Sequence, residues 1–179
     1  MKLMYVLILM VLLASGASAK TEEISAGPYN VSFDLNTTMQ YSVSSNWDEA
    51  NTTSTVNIKF TNDSQAVIAV INDTVWRCAD LTPDLRYLNL ALNYEKALGS
   101  IVDGTLIERT IDGKPGIVAV EVFEKDGNVV NSTIAKYWLD GREIENYNVT
   151  VGMTSVEILA RFPMNISESL LNSIQVRMI

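Results

Sequence analysis

The chain has 179 residues, 47 % of them hydrophobic, which is enough for one compact domain and too few for two sizeable ones. Its 13 basic and 21 acidic residues leave a formal charge of −8, the wrong sign for a nucleic-acid binder. It has no histidine and one cysteine, which excludes imidazole or paired-thiolate zinc sites, every His-based triad and any intrachain disulfide.

Residues 1–19 read as a secretory signal peptide: Lys2, the apolar run Leu3 to Leu13, then Ala17-Ser18-Ala19, with cleavage between Ala19 and Lys20. An eleven-residue apolar run spans roughly 16 Å as a helix, short of the ~30 Å of a bilayer core. An uncleaved leader is the rival reading, and the only route by which this chain would hold to a membrane. A polar lead, 20–27, precedes a single globular domain, 28–179.

In Tyr29–Asn36 the odd positions are apolar and the even ones polar, the pattern of a half-buried strand. Further strands are predicted at 38–44, 55–60 and 66–71, the last apolar throughout. Thr82-Pro83-Asp84 opens a long helix to about Leu98, with Leu85, Leu88, Ala91, Leu92 and Leu98 on its apolar face. Asp112-Gly113 marks a hairpin between 105–111 and 115–123. Strands follow near 130–139 and, after Asp140-Gly141, at 142–151. Residues 154–162 alternate as a strand, although Thr154 and Glu157 also form a capping box; the strand is preferred. Asn165–Ile174 reads as a short helix. The expected fold class is α+β: an antiparallel β-sheet meander with a long helix after the fourth strand and a C-terminal helix.

Eight asparagines stand in Asn-x-Ser/Thr: Asn30, Asn36, Asn51, Asn62, Asn72, Asn131, Asn148 and Asn165. With 15 Asn and 29 Ser plus Thr, chance placement gives only about 2.4 such acceptors. The excess points to an N-glycosylated surface, and each sugar must face solvent. Asn30 and Asn36 fall on the polar face of the first predicted strand, and Asn148 on that of 146–151, so two independent signals agree on which face is outward. No acceptor falls between Asn72 and Asn131, so a partner could dock on that stretch.

Gly27-Pro28-Tyr29-Asn30-Val31-Ser32-Phe33, Thr110-Ile111-Asp112-Gly113-Lys114-Pro115-Gly116 and Leu171-Asn172-Ser173-Ile174-Gln175-Val176 resemble the opening strand, a hairpin and the closing tail of PsbP-like proteins, over about 28–177. That family includes the extrinsic photosystem protein and DcrB-type envelope proteins. The resemblance implies a PsbP-like α/β/α sandwich and a role in binding, with no particular activity. The chain departs from the family in having Trp47 without the usual preceding proline, no lipid-anchoring cysteine, and no histidines for an ion site. Dense acceptors behind a short leader suggest an archaeal cell-surface member.

No residue set carries a catalytic signature, and no cofactor or metal is expected. Asp140, Glu143 and Glu145, and Glu121, Glu124 and Asp126, read as solvated hairpin ends; Gly113-Lys114-Pro115-Gly116 reads as a turn, not a phosphate loop. Without a histidine to deprotonate it, Cys78 reads as a buried inert thiol, and Trp76, Trp138, Tyr87 and Tyr94 as core rings. The expectation is a secreted, glycosylated, non-catalytic module that binds an unknown cell-envelope protein or glycan. The alternative is a carboxylate-based hydrolase or ligand-binding enzyme acting on envelope polysaccharide, which needs two carboxylates converging in a cleft.

Overall fold

The computed structural model describes residues 20–62, 64–72, 101–125, 128–144, 149–152 and 154–179. Within them lie β1 (Lys20–Ala26), β2 (Tyr29–Leu35), β3 (Tyr41–Asp48), β4 (Thr53–Phe60), β5 (Gln65–Asn72), β6 (Ile107–Ile111), β7 (Lys114–Lys125), β8 (Asn128–Trp138), β9 (Gly141–Ile144), β10 (Val149–Gly152), β11 (Thr154–Arg161), α1 (Met164–Ser173) and β12 (Gln175–Met178). A seven-stranded antiparallel sheet runs β3-β4-β5-β11-β8-β7-β6. A three-stranded sheet, β1-β2-β12, and α1 share a core with one face of it, while β9 and β10 form a separate hairpin.

This corrects the expected fold class. The described protein is mostly β, two sheets with one ten-residue helix, and not an α/β/α sandwich. Residues 82–98, where the long helix was expected, lie outside the described residues. Period-two alternation identifies a strand but not the sheet that it joins. Tyr29, Val31, Phe33 and Leu35 are all buried, as their alternation requires, yet they belong to the second layer. The 20–27 stretch holds β1, which reads as a polar lead because only Ile24 and Ala26 are apolar; its seven registered pairs with β2 supply the ladder instead. Of residues 142–151, expected as one strand, the described ones fall in two antiparallel strands, β9 and β10, paired with each other.

The core is built from alternating strand positions: Val56, Ile58 and Phe60; Ala66, Ile68 and Val70; Val156, Ile158 and Ala160. Ile166, Leu170 and Leu171 close it from α1. On the other face of β5, Val67, Ala69 and Ile71 are half-buried and Gln65 is exposed. A smaller cluster, Ile101, Ile117, Ala119, Ile134 and Trp138, lies on that far face of the large sheet. Burial at ~25 cal/mol per Å² of apolar surface makes the shared core the main source of stability.

The layers are tied at the β3 side by contacts with β1 and its turn. Gly27 turns β1 into β2 at φ +59°, and an added Cβ would lie 2.6 Å from the Trp47 ring, so only glycine lets that indole close the edge. The Tyr41 hydroxyl donates to Glu22 Oε1 across the sheets at 2.8 Å. Burial, then the bond to Glu22 and its charge, push the Tyr41 phenol up from 10.0 to about 12. A raised folded-state pKa contributes stability that is complete below the unfolded value and is lost as pH climbs through the folded one. Urea midpoints are therefore expected to fall between pH ~10 and ~12, with a shallower fall in Tyr41→Phe, because that phenol no longer ionises on unfolding.

Candidate functional site

The acceptor asparagines are the first candidates. Asn36, Asn51, Asn62, Asn131 and Asn165 are exposed. Asn36, Asn62, Asn131 and Asn165 gather at one pole: Asn62 sits in the β4–β5 turn and donates to Met39 of the loop that Asn36 opens. Asn131 and Asn165 lie at the neighbouring ends of β8 and α1, where Thr133 of β8 meets Met164 of α1. At the opposite pole Asn51 and Asn72 adjoin, since Thr52 bonds Asn72 through both its carbonyl and its hydroxyl.

The acceptors differ in what their amides already hold. Asn51 Nδ2 donates to Asp48 Oδ2 at 2.7 Å, and this bond, with the backbone N–H groups of Asn51 and Ala50, holds the Asp48 carboxyl below its usual range. Asn30, half-buried on β2, donates to Glu23. A glycosylated amide keeps one N–H, so both bonds are compatible with a sugar on the other valence. Asn72 is half-buried, and its Oδ1 is enclosed without a hydrogen-bond partner. Asn148, and the Ala19 side of the expected cleavage site, lie outside the described residues; Lys20 is the first residue of β1.

The other candidates separate. Glu121 accepts from Ser132, and Asp140 Oδ1 accepts the Thr154 N–H at 2.7 Å. Glu145, Asp126, Cys78, Trp76, Tyr87 and Tyr94 lie outside the described residues, and Trp138 is buried. Among the described residues no three of His, Cys, Asp and Glu converge as a metal site.

The most connected polar group is one that sequence reasoning treated only as a turn. Asp112 and Gly113 join β6 to β7 with φ of +50° and +72°, the positive pair that a two-residue hairpin of matching twist requires. The turn aims the Asp112 side chain inward, where it is 1 % exposed. It accepts from Arg177 Nη1 at 2.8 and 3.0 Å, from the Val176 N–H at 3.0 Å and from the Tyr137 hydroxyl at 3.4 Å, with Lys114 Nζ at 3.5 Å. Burial, then the nearby Asp112 charge, drives the Tyr137 phenol far above its ordinary value. A second link runs from Arg109 of β6 to Glu168 (2.8 Å) and Asn172 (2.6 Å) of α1.

Beside this junction lies an open polar cleft of about 640 Å³, bordered by Asp34, Thr110, Asp112, Asn172, Gln175 and Arg177. Its two carboxylates are unequal. Asp112 is consumed by its donors, whereas Asp34 Oδ1 is enclosed without a hydrogen-bond partner. A pair for glycoside hydrolysis needs both carboxylates turned to the cleft, and the Asp112 oxygens are turned to donors of β12 instead. The junction is therefore a latch: it fixes β12 and the end of α1 to the hairpin tip.

No family model, no curated protein and no solved structure matches this chain. The site must be read from its own geometry.

Proposed function

We propose that this chain is exported, carries N-linked glycans and works as a binding module of the cell envelope. The observation that carries the proposal is the placement of the acceptors: of the seven described, five are exposed, and four of these share one pole of the sandwich. A chance scatter of acceptors would put some on core positions, since inward and outward residues alternate along every strand. The titratable groups at the most connected site are engaged in holding the fold, which favours binding over chemistry. The resemblance of the Gly27, Gly113 and Leu171 segments to PsbP-like proteins points toward the same mode of action.

Mass spectrometry of glycopeptides from the native protein tests this. Sugar is expected on Asn36, Asn51, Asn62, Asn131 and Asn165, with the lowest occupancy at Asn72, and the mature N-terminus at Lys20. Unmodified peptides at all five exposed acceptors, or a retained leader in a chain found inside the cell, would refute the proposal.

A further inference from the structure

The two edges of the seven-stranded sheet are treated differently. The β3 edge is closed by Trp47 over Gly27 and by a bond from Ser45 Oγ to the Ser25 carbonyl of β1 at 2.8 Å; the acceptor Asn51 stands in the β3–β4 turn, and Asn62 of the β4–β5 turn bonds Met39 just ahead of β3. The β6 edge lies in the acceptor-free stretch, and Ile107, Glu108 and Thr110 are exposed along it. The register of the hairpin fixes which backbone groups point out. Ile111↔Lys114 closes the two-residue turn, so Ile111, Arg109 and Ile107 bond inward to β7. The N–H and C=O of Glu108 and Thr110 then point away from the sheet, and they meet no partner among the described residues.

An open edge of this kind is a template for another strand. We infer that it pairs with the β6 edge of a second copy, antiparallel about a two-fold axis at Arg109, giving one continuous sheet. The register selects itself. Centring on Glu108 would set two carboxylates directly opposite, which is repulsive, and centring on Thr110 would leave only the end of each strand overlapped. Centring on Arg109 overlaps all of Ile107–Ile111 and sets each Glu108 opposite a Thr110, two pairs that exchange both their backbone bonds. The Arg109 side chains then flank the axis, each ion-paired with Glu168 and hydrogen-bonded to Asn172 of its own chain. A pairing of the same patch on both chains is the isologous form in which dimers close. The inference does not depend on sugar, because the edge is the same with bare or modified acceptors.

Light scattering and sedimentation of the mature protein test it. The average mass is expected to rise toward twice that of one chain as concentration goes from ~1 µM to ~1 mM, the range of a small interface. Thr110→Pro removes one outward N–H where no β7 bond is lost, and is expected to hold the mass at one chain with an unchanged circular dichroism spectrum. A wild-type mass that stays at one chain throughout would overturn the inference, including the case in which a strand of a different protein uses this edge. So would a dimer that survives in folded Thr110→Pro. Should that variant not fold, hydrogen exchange of the wild type decides: slowing of the 107–111 amides as concentration rises supports the pairing, and exchange independent of concentration overturns it.

Discussion

Replacing Asp112 by alanine is expected to lower the unfolding free energy by about 3 kcal/mol, the low end of the cost of breaking a buried ion pair. The low end applies because the Arg177 side chain is 56 % exposed and can regain water. The Val176 N–H cannot be relieved so easily, since it lies in the buried part of β12. Alanine also fits poorly at φ +50°. Asp112→Asn and Asp112→Gly separate the contributions. Asparagine tolerates the backbone and keeps a weaker acceptor, so it should lose less than alanine; glycine relieves the backbone but keeps no acceptor. Urea unfolding of the three variants checks this order, and equal losses in all three would show that the carboxylate holds nothing.

Leu170→Ala is expected to cost 2–5 kcal/mol, the usual range for a leucine removed from a packed core. Leu170 is fully buried, and alanine is the better helix former, so any loss is a packing loss. The helix has little of its own to keep it. It is ten residues long, has no side-chain cap at its start, no acid in its first turn and no base in its last, and in isolation would be marginal at best. Its packing also secures β2. The β12 ladder covers β2 only from Tyr29 to Ser32. Beyond that, Ser173 accepts the Asp34 N–H at 2.8 Å and Ser169 accepts the Asn36 N–H at 3.1 Å, so two serines one turn apart replace the missing strand. Unseating α1 should therefore expose both amides, and faster hydrogen exchange at Asp34 and Asn36 should accompany the lower urea midpoint. A stability loss with those two amides still protected would mean that the serine contacts do not depend on Leu170.

Some of this architecture is legible in the chain and some is not, for physical reasons. The alternation of Tyr29 to Leu35 and of Val156 to Ala160 names the buried faces, because a strand that packs on one side leaves no other pattern. In β11 that alternation prevails over the Thr154–Glu157 capping box: the Thr154 N–H goes to Asp140 and the strand is paired on both edges, with β5 and β8. The Asp112-Gly113 hairpin follows from local chemistry alone. What Asp112 does is illegible, since Val176 and Arg177 reach it from 64 and 65 residues away. β1 and β12 are held by ladders with few buried side chains, so neither leaves a hydrophobic period to read. The signal for the serine contacts is present in the spacing of Ser169 and Ser173, but it has meaning only once β2 lies beside the helix.

The first described strand begins at Lys20, which pairs with Leu35 at the pole that carries Asn36, Asn62, Asn131 and Asn165. On the proposed function, a domain still attached to its leader would be tethered by that pole, with the four acceptors held against the lipid headgroups. Cleavage before Lys20 would turn the same pole toward open water. The proposed processing and carbohydrate decoration would thus be coupled by the direction in which one strand enters the body.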